Sequence, residues 1–247
     1  MQTDTESTRQ LALRMARLEP LSSGEVDAVC RLVRRVSRIS SYEEVAREAG
    51  REVSVLLSGL ACQVKMLDSG RRQITGLIVP GDICDYSFLT GDIGSSHVMA
   101  LTPSHVGRIA VGSLTDLCDQ HPRVMRAILR AAASEWAMTQ ERVISLGLRT
   151  ALERVAHLLC EMHARLASVG LVGEGNSYDL PLTQAELGEA LGLSTVHVNR
   201  TLQVLRRNGT ITMRNGVVTI GNLDALREEA GFDPAYLGLN RGNVLPA

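Results

Sequence analysis

Residues Leu182–Arg207 read LTQAELGEALGLSTVHVNRTLQVLRR. Thr183, followed three residues later by Glu186, has the spacing of a capping box that opens a helix. Leu187 and Ala190 or Leu191 then fall on the inward side of that helix. Gly192 stands where a sharp turn between two helices requires a residue free of Cβ strain. Ser194 is placed to cap a second helix, whose buried side carries Val198, Leu202 and Leu205. The opposite side carries Thr195, Val196, Asn199, Arg200 and Gln203, with His197 at its edge. Arginine can grip guanine O6 and N7, asparagine and glutamine can grip adenine, and Val or the Thr methyl can touch a thymine methyl. A solvated polar face on a small helical domain would account for the polarity alone. Two caps, a turn glycine and a hydrogen-bonding outer face at these spacings favour a helix that reads DNA.

The residues that follow extend this reading. Thr210–Met213 and Val217–Ile220 are two short β-prone runs separated by Arg214-Asn215-Gly216, and an Asn-Gly pair is the strongest short hairpin signal. A hairpin directly after a recognition helix is the wing of a winged helix, with Arg214 at its tip to meet phosphate. The candidate DNA contacts are therefore Thr183, Ser194, Thr195, Val196, His197, Asn199, Arg200, Gln203 and Arg214. Net charge over the whole chain is −1, which runs against a nucleic-acid partner. Between Pro181 and Gly216, however, four Arg (200, 206, 207, 214) face two Glu (186, 189), a local +2.

Upstream, Thr150 with Glu153 forms a second capping box, opening a helix whose inner face is Leu152, Val155, Ala156, Leu159 and Leu166. The stretch from Ser168 to Asp179, rich in Gly and polar residues, reads as a loop. Before Thr150 lies a long helical stretch from about Ser113 to Gly147. Proline is tolerated only in a first turn, so Pro122 predicts a short helix ending near Gln120 and then a continuous one. Along the latter, Met125, Leu129, Ala132, Trp136, Thr139, Val143 and Leu146 recur in steps of 4, 3, 4, 3, 4 and 3. That heptad seam is the pattern of two helices packed on each other, narrower than the stripe of a helix lying on its own domain.

Earlier still, from Glu44 to Val111, short Val-, Ile- and Leu-rich runs are broken by Ser58-Gly59, Asp68-Ser69-Gly70, Pro80-Gly81-Asp82, Thr90-Gly91-Asp92 and Thr102-Pro103. This texture predicts a small antiparallel sandwich or barrel. Leu11, Met15 and Leu18, then Val26, Val29, Cys30 and Val33, have helical spacing and read as short helices or a lead-in. Asn222 is placed to cap a last short helix, after which the chain reads as a tail.

Composition narrows the function classes. The chain has 247 residues, 45% hydrophobic and 21% charged, as expected of a globular protein. No apolar run is long enough to span a bilayer, and the polar opening MQTDTESTRQ lacks a signal-peptide core, so a cytoplasmic location with no membrane partner is expected. Cys30, Cys62, Cys84, Cys118 and Cys160 are too scattered for a metal knuckle or an iron–sulfur cluster, and their odd number fits reduced thiols.

From its roll to its wing, the chain resembles the Crp/Fnr superfamily of bacterial transcription regulators. The resemblance rests on LTQAELGEALGLSTVHVNRTLQVLRR, on Pro80-Gly81-Asp82 in the roll, and on SLGLRTALERVAHLL (Ser145–Leu159) after the long helix. It implies an α+β fold: an N-terminal antiparallel β-roll like cyclic-nucleotide-binding domains, a long dimerisation helix, and a C-terminal winged helix-turn-helix. The expected boundaries are 1–115 for the N-terminal helices and roll, 116–148 for the dimerisation helix, 149–225 for the DNA-binding domain and 226–247 for the tail. It further implies a homodimer on palindromic double-stranded DNA, with RNA polymerase as a partner. Thr195, Val196, Asn199 and Arg200 occupy the base-reading positions, and Val196 stands where many members have Glu, so the half-site is expected to depart from the common one.

Members that bind cyclic AMP follow the Pro-Gly-Asp-like turn with a Gly-Glu pair for ribose and an Arg-Ser pair for phosphate. Here those positions hold Asp85-Tyr86 and Ser96-His97. An anionic phosphate buried without a cation would be poorly compensated, so the pocket reads as degenerate for cyclic AMP. Tyr86, Ser95, Ser96, His97 and Thr139 are the candidates for any other effector, whose nature is unknown. No cofactor, metal or catalytic residue is expected. A cyclic-nucleotide module attached to an enzyme would need the missing Glu and Arg and would leave the wing unexplained. A cupin-like enzyme would need a His/Glu ligand set, and the roll offers only His97 and His105.

Overall fold

The computed structural model describes residues 5–45, 51–90 and 97–239. Two compact units emerge from the contacts: Met1–Lys65 with Gly76–Glu135 and Gly238–Ala247, and Met66–Thr75 with Trp136–Leu237.

The first unit begins with two helices, α1 (Thr5–Leu18) and α2 (Ser23–Leu32). The lead-in is thus helical and packed, with Leu11, Ala12, Met15, Leu18 and Val29 buried. Six strands follow: β1 (Arg35–Ile39), β2 (Glu52–Ser58), β3 (Ala61–Met66), β4 (Arg72–Ile78), β5 (His97–Ala100) and β6 (Ser104–Ala110). A one-turn helix, α3 (Ser87–Thr90), precedes β5. The strands form two three-stranded sheets ordered β1-β6-β2 and β4-β3-β5, with β6 antiparallel to both its neighbours and β3 antiparallel to β5. β1 starts nine residues before the Val- and Ile-rich texture does. Its sequence, RVSRI, carries two arginines and so lacks the apolar density that marks the other strands.

Inside the roll, Ile39, Leu56, Ala61, Ile78, Cys84, Val98 and Val106 form one core, while Leu11, Val29, Val53, Val55, Ile109, Leu114, Val124 and Ile128 join the helices to β2 and β6. All five thiols are free, with only Cys30 partly exposed. Burial pushes the Cys84 and Cys160 thiols up to about 12, so they pack as small apolar groups.

The helical stretch after the roll is two helices, α4 (Val111–Gln120) and α5 (Pro122–Leu148). The long helix therefore starts at Pro122 and not at 116. His121 ends α4 by donating its N–H to the Leu117 carbonyl, and Pro122, having no N–H to give, occupies the first turn of α5. Within the first unit α5 buries Val124, Ala127, Ile128 and Ala131, and within the second Met138. Of the seven seam residues, Met125 and Ala132 are half-buried, and Leu129, Trp136, Thr139, Val143 and Leu146 are exposed. Trp136 is 68% and Val143 66% solvent-accessible.

The second unit continues with α6 (Ala151–Ser168), opened by the Thr150/Glu153 capping box. Ser177–Asp179 then forms β7 after a 3-10 turn at Glu174–Asn176, where a loop was expected. The strand is three residues long and its anchor is Tyr178, buried, whose hydroxyl donates to the Leu159 carbonyl at 2.8 Å. After β7 come α7 (Gln184–Leu191), α8 (Thr195–Arg207), β8 (Ile211–Arg214), β9 (Val217–Ile220) and α9 (Leu223–Ala230). β9 lies between β7 and β8 in an antiparallel sheet.

The expected tail boundary at 225/226 falls inside α9, which Asn222 caps as anticipated. Beyond α9, the turn Pro234–Leu237 is held down: Leu237 is fully buried, and the Tyr236 hydroxyl donates to Glu161 at 2.8 Å. Phe232 and Tyr236 pack on the His157 ring. Burial alone would raise the Glu161 carboxyl; Arg142, Arg165, Tyr236 and His157 outweigh it and hold the group below its ordinary range. Burial lowers His157. This aromatic and ionic cluster ties residues 232–237 to α6.

Candidate nucleic-acid interface

The start of α7 is fixed by the Thr183 box. The Thr183 hydroxyl accepts from the Glu186 N–H at 3.2 Å, and Glu186 accepts from the Thr183 N–H at 2.7 Å. Thr183 also donates its hydroxyl to Glu186, so its polar atoms are committed to the cap. At the other end, Gly192 adopts φ 64°, ψ 36° and returns its N–H to the Gly188 carbonyl, the left-handed helix end that glycine makes without strain. Gly188 lies inside α7 for a different reason. A Cβ there would come within 2.5 Å of the Leu193 carbonyl oxygen, so the tight approach of turn to helix requires its absence. Leu187 and Leu191 are buried, and Ala190 only half so.

Ser194 caps α8 by accepting from the His197 N–H at 3.3 Å, and its hydroxyl lies 3.1 Å from His197 Nδ1. Val198, Leu202 and Leu205 hold the inner face in the core. Thr195, Val196, His197, Arg200 and Gln203 stand exposed on the outer face, with Val196 76% solvent-accessible. Asn199, expected to face outward with them, is half-buried: its amide donates to Gln184 Oε1 at 3.2 Å and accepts from Gln203 Nε2 at 2.8 Å.

The hairpin turn has positive φ at both central residues, 51° at Asn215 and 78° at Gly216, the geometry that matches strand twist and for which Asn-Gly is selected. Arg214 at its entry is exposed. Between α7, α8 and this turn runs a groove lined by Thr183, Gln184, Arg206, Arg214 and Asn215. A second depression on the outer face is lined by Gln184, Thr195, Val196, Asn199, Arg200 and Gln203. Eight of the nine expected contact residues are exposed on this unit, and six of them line one or other depression. Two residues that sequence reading did not single out belong with them. Gln184 is hidden in the first turn of the supporting helix, and Arg206 lies in the basic last turn of α8. The signal for Arg206 was its place three residues beyond Gln203; for Gln184 there was none before α7 and α8 were placed side by side.

The expected effector residues are dispersed. Tyr86 stacks on Phe88, with ring centres 6.2 Å apart, and lines a cavity of about 10 Å³ with Arg14, Asp82 and Glu135. That is room for one water at most. In the turn beside it, Asp82 forms a buried ion pair with Arg14 of α1 at 3.3 Å. Asp85 bonds the Ser87 N–H at 3.2 Å. His97 is exposed and pairs with Glu44 at 2.9 Å, Thr139 is exposed on the second unit's part of α5, and Ser95 and Ser96 lie outside the described residues. Among the described residues no cluster of His, Cys, Asp and Glu is placed to hold a metal, and no helix is long and apolar enough to cross a membrane.

Comparison with known proteins agrees with this arrangement at both ends. Residues 153–229 match the Crp-like helix-turn-helix domain family, and residues 45–121 match the cyclic nucleotide-binding domain family. The nitrogen fixation regulation protein FixK of Bradyrhizobium diazoefficiens is 30% identical over 218 residues, covering 85% of this chain and 86% of that one. The fumarate and nitrate reduction regulatory protein of Vibrio cholerae is 27% identical over 213 residues, 85% of this chain and 84% of its own. The structure of FixK2 from Bradyrhizobium japonicum superposes with a TM-score of 0.68 at 26% identity, over 78% of this chain and 96% of that one.

Proposed function

Because the chain belongs to the Crp/Fnr superfamily of bacterial transcription regulators, a cyclic-nucleotide-binding-like roll ahead of a Crp-like helix-turn-helix, we propose that it works in the cytoplasm as a two-fold homodimer on palindromic operators. It is a DNA-binding regulator and not an enzyme. The observation that carries the operator reading is the outer face of α8, where Thr195, Val196, Arg200 and Gln203 stand exposed beside an arginine-bearing hairpin. α8 enters the major groove, its early residues meet base edges, and Arg214 meets a backbone phosphate.

Support for the dimer comes from the exposed apolar row on α5. Leu129, Trp136, Val143 and Leu146 leave large side chains in water. Each such side chain withdrawn from water stabilises by about 1.5–3 kcal/mol, so a second copy of the same helix is a fitting cover. Two copies related by a two-fold axis then present two α8 helices to one duplex. The dimer acts on RNA polymerase at promoters that carry its site.

The roll does not take cyclic AMP on this reading. Asp85 and Tyr86 stand where ribose would be held, Asp85 is already bonded to Ser87, and Ser96-His97 brings no arginine to the phosphate. Selection of bound sequences from a random duplex library, with and without cyclic AMP, tests the whole reading. The expected result is one inverted repeat, enriched equally in both arms, which changes transcription by RNA polymerase when placed at a promoter. Enrichment of no sequence would overturn the operator reading, and enrichment only with cyclic AMP would overturn the reading of the roll.

A further inference from the structure

We propose that Gln184, the first residue of α7, is a positioning residue for base reading: it fixes the sense of the Asn199 amide so that Asn199 offers one donor and one acceptor to an adenine. The inference rests on the reading of α8 as the DNA-reading helix.

The geometry is a chain of three amides across two helices. Gln203 Nε2 donates to Asn199 Oδ1 at 2.8 Å, and Asn199 Nδ2 donates to Gln184 Oε1 at 3.2 Å. A primary amide has two N–H donors and two acceptor lone pairs. Each bond consumes one donor and one lone pair, so Asn199 keeps one N–H and one lone pair of its oxygen. Those are the two groups that a bidentate contact to adenine N7 and N6 requires. Left alone, an asparagine amide can turn over and present donor and acceptor in the opposite order. Here a turned Asn199 would set its oxygen against Gln184 Oε1 and its nitrogen against Gln203 Nε2. Both bonds would be lost together unless all three amides turned.

Gln184 reaches Asn199 from a fixed stretch of backbone. It stands directly after Thr183, whose capping box fixes the first turn of α7. It also borders the same depression as Thr195, Val196 and Arg200, so the fixed end of the chain lies at the reading surface.

The test uses the full-length protein and the operator obtained by selection, titrated against a panel in which each base pair of one half-site is replaced in turn. Gln184→Met removes the acceptor that Asn199 needs; Gln184→Glu keeps it. For Gln184→Met the expected result is a loss of adenine discrimination at a single position per half-site by about tenfold or more, with preference elsewhere retained. Gln184→Glu is expected to keep the adenine preference while its added charge weakens binding to every duplex alike. Melting curves establish that both variants are folded; should Gln184→Met unfold, Gln184→Leu carries the same expectation. A variant without the acceptor that kept full discrimination at every position, losing affinity only uniformly, would overturn the inference and leave α8 reading intact. Failure of the wild-type protein to prefer any base at any position would instead overturn the reading on which it rests.

Discussion

Arg200 and Arg214 both stand exposed near the outer face of α8, yet their settings predict different effects on DNA binding. Arg200 lies one helical turn beyond Val196, in the depression that Asn199 also lines. Its replacement by Ala is expected to cost about 1–3 kcal/mol on the preferred site and to blur the choice of base at one position per half-site. Arg214 enters a positive-φ hairpin turn and shares its groove with Arg206 and the start of α7. Its loss should weaken binding to all sequences alike and lower the salt dependence by about one phosphate contact per subunit. Titration of both variants on matched and scrambled DNA at several salt concentrations separates the two. Equal loss on both duplexes for Arg200→Ala, with an altered preferred sequence for Arg214→Ala, would reverse the assignment. At this scale the caps and turns were legible in the sequence, because Thr183, Ser194, Gly192 and Asn215-Gly216 act through their own backbone neighbours. Gln184 was not, because its partner Asn199 lies on another helix.

At the scale of elements, α5 and β7 mark the two extremes of legibility. The heptad spacing from Met125 to Leu146 is regular over many residues, and the exposed side chains of Leu129, Trp136 and Val143 lie on it. Its buried face, Val124, Ala127, Ile128 and Ala131, serves the first unit's own core, as does Met125 of the seam, which leaves Leu129, Trp136, Val143 and Leu146 for another partner. Trp136 and Val143 changed together to Asp would place two charges per helix in an apolar interface, where unpaired charges are strongly disfavoured. The expected outcome is a monomer by light scattering that no longer holds the operator; a dimer of unchanged mass would mean that the seam is not the interface. β7 is the opposite case. Three residues carry no period, and its existence depends on Tyr178 reaching the Leu159 carbonyl on α6 and on pairing with β9, both remote in sequence. The turn at Pro234–Leu237 was hidden for the same reason, since its anchors are His157 and Glu161.

For the whole molecule, order of elements carried more information than composition did. A net charge of −1 gives no sign of a polyanionic partner, whereas a roll, a long helix and a winged helix-turn-helix in succession do. The boundaries were the weaker part. Breaks at Pro122 and Thr150 are written in local chemistry, but the end of the second unit is set by packing of residues 232–237 on α6. On the proposed function, two copies of α8, coupled by one dimer, read one duplex in phase. The direct test is an anisotropy titration of the wild-type protein on its selected inverted repeat, and on the same repeat with about five base pairs inserted at its centre. Such an insertion turns the half-sites by half a helical repeat, which is about 10–10.5 base pairs. A coupled dimer then engages only one of them, and affinity is expected to fall by at least about tenfold toward the non-specific level. Equal affinity for both duplexes would overturn the coupled reading, because it would mean that each α8 reads its half-site alone.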